Sequence, residues 1–237
     1  MFQVLANPAK FMAFSKWAAP IIGVIAVVLL VWGLWVGFHV PDDYQQGRTV
    51  RLLFIHPQLA ILSMFAYACL GGAAFFGVVF RHALADAAAR AAAPLGAAYT
   101  FLALLTGSFW GRPMWGTWWV WDARLTSELV LFLLFLGYMT LVAAIDDETK
   151  ANRAGGILAM VGLINLPIIH YSVNWWNTLH QGSSDFTSDL SPVYALPFVV
   201  CLLGYIAMFG ALWLVRTRAE VWRRRAQALA VRQAGRA

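Results

Sequence analysis

Trp17-Ala-Ala-Pro-Ile-Ile-Gly-Val-Ile-Ala-Val-Val-Leu-Leu-Val-Trp-Gly-Leu-Trp-Val-Gly-Phe38 contains no charged residue. Roughly 20 apolar residues of helix cross the hydrocarbon core of a bilayer. Lipid offers no partner for backbone N–H and C=O groups, so such a stretch must be helical. It follows Lys10 and Lys16, as a signal peptide would. It is longer than an ordinary signal core and lacks a small-x-small cleavage site, so it reads as a retained anchor. Outward from it, five more apolar segments read as spans: 59–80, 93–110, 126–145, 154–171 and 192–215. The expected fold class is therefore all-α: one membrane domain over residues 1–237 with six transmembrane helices. The third and fifth spans are short and contain glycine, which predicts that they pack inside the bundle. His56-Pro57 and Ser191-Pro192 place proline where a first helical turn accepts it, with Ser191 as the expected N-cap.

Composition agrees. Of 237 residues, 61% are hydrophobic and 12% charged, whereas a soluble domain carries about a quarter charged residues. The 15% aromatic content excludes a disordered chain. Cys69 and Cys201 lie in separate apolar runs, so no disulfide framework, redox pair, zinc spacing or covalent c-type haem attachment is present. No internal repeat and no Walker A motif appears, so any ATP-driven step would sit on another subunit.

An even number of spans puts both termini on one side. That side collects Lys10, Lys16, Arg81, Arg90, Lys150, Arg153 and seven arginines beyond Val215, against Arg48, Arg51, Arg112 and Arg124 on the other. The positive-inside bias sets N-in, C-in topology. The net charge of +6 resides largely in the basic tail, which suits attraction to anionic membrane lipid rather than nucleic acid.

Three outward loops result, at 39–56, 110–125 and 172–191. The middle one holds Trp110, Trp115, Trp118, Trp119 and Trp121, and the third holds Trp175 and Trp176. An interfacial belt needs one or two indoles per helix end. A run this dense suits a shelf that stacks a large planar ligand, with indole N–H groups left for hydrogen bonds. Arg112 and Arg124 flank the run, and Arg48 and Arg51 precede the second span. Guanidinium forks bind carboxylates bidentately, and the N-terminal end of the fourth span favours anions at the same surface. A planar apolar molecule with carboxylates, such as haem, meets these conditions. Among five histidines, His56 and His180 share the depth of the tryptophan run, and two neutral imidazoles complete six-coordinate haem iron. His39 has no distinguishing context, His82 reads as a solvated boundary residue, and His170 is compatible with a core position. Glu128, near the outer end of the fourth span, suits either a hydrogen bond at the helix start or a functional role.

Trp115-Gly-Thr-Trp-Trp-Val-Trp-Asp-Ala-Arg-Leu-Thr-Ser-Glu128 resembles the WWD signature of the haem-handling proteins of cytochrome c biogenesis. Within that group the chain resembles the CcmC family, also through Pro41-Asp-Asp-Tyr-Gln-Gln-Gly47, Phe54-Ile-His56 and Leu166-Pro-Ile-Ile-His-Tyr-Ser-Val-Asn-Trp-Trp-Asn-Thr-Leu-His-Gln-Gly182. The likeness covers nearly the whole chain. One departure is that the family usually reads His-Val-Pro where this chain has His56-Pro57-Gln58.

The resemblance implies a haem-binding transport and transfer protein of the bacterial inner (cytoplasmic) membrane, not a conventional enzyme. It implies non-covalent haem b at the periplasmic face with His56 and His180 as axial metal ligands. Trp115, Trp118, Trp119 and Trp121 would cradle the porphyrin, with Asp122, Arg124 and Arg51 at its edge. The implied partners are the haem chaperone CcmE, the ABC transporter subunits CcmA and CcmB, and the small membrane subunit CcmD. Two competing classes are a quinol-linked membrane cytochrome b and a small-solute permease. The first lacks histidine ligands in the inner half beyond His82, and the second lacks ionisable residues within the spans beyond Glu128.

Overall fold

The computed structural model describes residues 7–180 and 190–235. Helices α1 (Pro8–Phe38), α2 (His56–Phe80), α3 (Ala83–Trp115), α4 (Ala123–Ala144), α5 (Glu148–Gly162), α6 (Asn165–Trp175) and α7 (Pro192–Ala234) follow in chain order, with a 3-10 segment at Arg48–Phe54. The described residues contain no strand. Six helical stretches are long and apolar enough to cross a membrane, α5 and α6 together forming one of them. The chain is an all-α multi-pass membrane protein, as its sequence predicts.

Local chemistry sets the helix ends. Asn7 Oδ1 accepts from Ala9 N at 2.8 Å to start α1, with Pro8 behind it. Asp122 Oδ1 accepts from Leu125 N at 2.8 Å to start α4, and Asp147 Oδ1 from Lys150 N at 2.9 Å to start α5. Each carboxylate satisfies a first-turn N–H that has no partner within the helix. His82 Nδ1 accepts from Ala85 N at 3.1 Å, so this ring caps α3. Ser191 precedes α7 but caps it only through its carbonyl, which accepts from Tyr194 N at 2.9 Å. The α5–α6 junction tightens to three-residue bonds, including Leu166 N to Leu163 O at 3.1 Å. Pro167 has no N–H to offer Leu163, which accounts for the break.

Helices in lipid associate through close packing rather than hydrophobic burial. An alanine stripe on α3 (Ala89, Ala92, Ala93, Ala97, Ala103) lets α2 and α4 approach it. Tyr67, Leu70, Leu131 and Phe135 fill the core between them. The third span is the most enclosed, with 50% of its most apolar stretch buried, as expected. The fifth is buried over only 28%, against expectation. Its inward stripe is narrow, formed by Ala151, Gly155, Gly156, Ala159 and Gly162, and its other faces turn outward. Helix α1 packs on α7 at the edge of the bundle.

At the basic end α7 continues past Val215 as helix to Ala234. Glu220 Oε1 accepts from Arg223 Nη2 at 2.6 Å and from Arg224 Nε at 3.3 Å, while Arg224 Nε also pairs with Glu148 at 2.8 Å. Arg218 Nη1 donates to Met12 O at 2.6 Å. Much of the basic tail is thereby tied to the bundle.

Candidate functional site

The C-terminal ends of α3 and α6 and the N-terminal ends of α2 and α4 meet at the tryptophan-rich end, and the described part of the third loop returns there at His180. His56 opens α2. Its Nδ1 lies 3.0 Å from Ala103 O and 3.3 Å from Thr106 Oγ1, both on α3. A carbonyl only accepts, so the ring carries its proton on Nδ1 and keeps the Nε2 lone pair free. Trp110 meets this imidazole edge-on with ring centres 5.8 Å apart. The indole N–H of Trp110 donates to Gln46 Oε1 at 3.0 Å and so ties the first loop to α3. Gly107 permits this closeness: a Cβ there would lie 2.8 Å from His56 Cε1.

His180 packs against Trp115, ring centres 4.9 Å apart. Its Nδ1 is buried without a hydrogen bond among the described residues and lies 3.5 Å from Asp122 Oδ2. The backbone N–H of His180 donates to Thr178 Oγ1 at 3.0 Å, and the Thr178 hydroxyl donates to Asp122 Oδ2. Asp122 thus caps α4 with one oxygen and holds the third loop with the other. Burial pushes the His180 pKa below the ordinary imidazole value, outweighing the attraction of Asp122, so the ring is held neutral. The two imidazoles lie within electrostatic range of each other, and both sense Arg124. Arg124 is half-buried, and its guanidinium donates no hydrogen bond among the described residues.

The remaining expected site residues lie at the same end of the bundle. Arg112 Nη1 donates to Gly116 O at 2.6 Å and its guanidinium lies 5.9 Å from the Trp118 ring centre. Gly116 closes α3 with φ +78°, a left-handed turn that suits glycine. Trp118 and Trp121 are 54% and 75% exposed and form an open aromatic surface. Trp119 lies edge-on to Trp121, and its buried indole N–H has no partner among the described residues. Arg51 Nη2 donates to Asp42 at 3.1 Å while its buried Nε has no partner among the described residues. Glu128 is buried and accepts from Ser63 at 2.7 Å.

The other histidines lie apart from this pair. His39 is exposed against Trp35, and His170 is exposed on α6 rather than in the core. Thr178, Thr106, Gly107 and Ser63 were not singled out by the sequence. Thr178 stands two residues before His180 and is the one whose spacing carried a signal. The others act across helix pairs.

Two imidazoles suffice for iron that already has four porphyrin nitrogens, whereas a bare ion needs more ligands. Among the described residues no group of three His, Cys, Asp or Glu side chains is placed to hold a bare metal ion. The free Nε2 of His56, the neutral His180, the Arg124 guanidinium, the Trp119 N–H without a partner among the described residues, and the open indole surface suit an anionic porphyrin.

The profile of the family described as CcmC, Heme exporter protein C, matches residues 1–232. The chain is 51% identical over 235 residues to the Heme exporter protein C of Bradyrhizobium diazoefficiens, covering 98% of this chain and 89% of that one. It is 48% identical to that of Escherichia coli, covering 90% and 88%. It is 42% identical to that of Paracoccus denitrificans, covering 96% of each. With such likeness along almost its entire length, the chain belongs to the CcmC, or Heme exporter protein C, family.

Proposed function

We propose that this protein handles haem as cargo in cytochrome c biogenesis, holding haem b non-covalently at its tryptophan-rich end with His56 and His180 as axial ligands. The supporting observation is the pair of imidazoles, one opening α2 and one in the third loop, both within electrostatic range of Arg124 and each packed against an indole. Membership of a family described as heme exporters supports haem as the cargo. Stacking on Trp115, Trp118, Trp119 and Trp121 supplies affinity, while Arg124 and Arg51 orient the propionates. Asp122 sets the His180 ring. Iron with both axial positions filled binds no oxygen until a ligand leaves, which suits a carrier more than an enzyme. The site faces the periplasm by the charge bias of the loops, in the bacterial inner membrane. From there haem passes to CcmE, with CcmA, CcmB and CcmD as the assembly partners.

The test is spectroscopic. Purified full-length protein supplied with haem is expected to show a Soret band and a haem b pyridine haemochrome. His56→Ala and His180→Ala are each expected to convert six-coordinate to five-coordinate haem and to reduce loading of CcmE. Parental spectra in both variants would overturn the axial assignment, and a colourless haem-supplied protein would overturn the function.

A further inference from the structure

Helices α1 and α7 enclose a cleft of about 610 Å³ in the basic half of the bundle, away from the two histidines. Its size falls within the range of small-molecule sites. It runs along α1 from Ser15 to Val28. That is about 20 Å of helix, the depth of one bilayer leaflet from midplane to headgroup. Toward the tryptophan-rich end the two helices close the cleft. A Cβ on Gly33 would lie 2.9 Å from Cys201 Sγ, and one on Gly204 would lie 2.9 Å from Leu30. The floor is small and apolar, with Ala19, Gly23 and Ala211 flanked by Val27, Met208 and Leu212. Helix α1 is also the least enclosed span, with 17% of its most apolar stretch buried.

The other end of the cleft is basic. Arg218 Nη1 donates to Met12 O at 2.6 Å and to Ser15 Oγ at 2.8 Å, which fixes the guanidinium between α1 and α7. Its Nε and Nη2 donate to no protein acceptor among the described residues, so one edge of the fork stays open. Lys16 lines the same end, and no acidic residue lines the cleft among the described residues. A guanidinium edge takes two phosphate oxygens at once, and an ammonium adds a point charge. A partner helix crossing the membrane needs about 30 Å of apolar contact, whereas this cleft ends at half that depth plus the headgroup region. An acyl chain attached to a phosphate matches both the length and the charge.

We propose that the α1–α7 cleft holds one anionic phospholipid of the leaflet at the basic end, its phosphate on Arg218 and Lys16 and an acyl chain along Gly23 and Ala211. The lipid completes the contact between α1 and α7 that the cleft interrupts. The site is separate from the haem-binding end and does not depend on it.

The experiment is native mass spectrometry of the full-length protein in detergent, titrated with dioleoyl phosphatidylglycerol or dioleoyl phosphatidylcholine, which share their chains and differ in net charge. The parental protein is expected to retain one phosphatidylglycerol with a preference of roughly tenfold or more. Arg218→Gln and Lys16→Gln are each expected to cut that preference about fivefold, the scale of one basic contact with anionic lipid. Arg216→Gln removes an exposed charge that does not line the cleft and is expected to leave the preference unchanged. A Cβ on Gly23 would meet the Ala211 methyl at 3.9 Å, an ordinary contact, so α1 accepts a side chain there. Gly23→Leu fills the cleft and is expected to lower retention of both lipids. Should Arg218→Gln fail to fold for want of its tie to Met12, Lys16→Gln carries the charge test alone. Equal retention of the two lipids by the parent overturns the proposal, as does undiminished phosphatidylglycerol retention in Gly23→Leu or Lys16→Gln. An equal loss in Arg216→Gln marks diffuse attraction to the basic tail and overturns the site. A lipid-free dimer that Gly23→Leu converts to monomer gives the cleft to a second copy of the chain and overturns it too.

Discussion

His180 Nδ1 stands 3.5 Å from Asp122 Oδ2, the same oxygen that accepts the Thr178 hydroxyl. One carboxylate therefore starts α4, fastens the third loop and faces the back of an expected iron ligand. Outer carboxylates orient ligating imidazoles, and losing one costs roughly tenfold to hundredfold in affinity. Asparagine caps helices as well as aspartate. Asp122→Asn is therefore expected to preserve α4 while weakening haem retention by that factor, with a growing five-coordinate fraction. Absorption spectra and helical content measured by circular dichroism check both halves.

The neutral state of His180 has a pH signature. Burial lowers its pKa, Asp122 opposes this, and Arg124 adds to it. The folded protein thus binds fewer protons at His180 than the unfolded chain, whose imidazole titrates near 6.5. Docking of the loop is complete above that pH and weakens as pH falls below it. Nuclear magnetic resonance titration of the haem-free protein is expected to place His180 below the ordinary value. Asp122→Asn, which deletes the opposing carboxylate, is expected to lower it further.

The spans were legible because uninterrupted apolar runs leave a chain no alternative in lipid, and the Trp115–Glu128 stretch marked the site by its density of indoles. Helix ends were less so. The third apolar span was expected to end at Trp110 with a loop from there, yet α3 continues to Trp115. Contacts of Trp110 with Gln46 and His56, and of Trp115 with His180, favour the extra turn, and no local pattern carries such cross-element contacts. The same holds for Ser63 and Glu128, joined across α2 and α4, and for the basic tail, whose partners Glu148 and Arg90 lie far back in the sequence.

Gly107 tests how tightly His56 is seated. A methyl group there would lie 2.8 Å from Cε1 and 3.3 Å from Nδ1 of the imidazole, closer than carbon contacts come, so the ring must shift. Alanine in place of glycine stabilises a helix interior by about 1 kcal/mol. Gly107→Ala is therefore expected to keep or slightly raise thermal stability while reducing the low-spin, six-coordinate haem fraction. Loss of stability together with haem would instead mark a packing defect.

At the far end of the bundle, Glu220 is the shared acceptor of Arg223 and Arg224 and lies 3.9 Å from Arg90, with a side chain 13% exposed. Its replacement by glutamine leaves Arg223 and Arg224 paired with Glu148 and takes the nearby carboxylate from Arg90, which keeps its bond to Asn152. Removing one member of a partly screened network costs about 1–2 kcal/mol, less than for a fully buried pair. The cost falls on the extension of α7, which has few apolar contacts of its own. Glu220→Gln is expected to speed hydrogen exchange from Thr217 onward and to expose Arg216 and Arg218 to trypsin. Haem spectra should stay parental, because the imidazoles lie at the other end of the helices. A change in those spectra would mean that the basic end is mechanically coupled to the site, through α3 or α7.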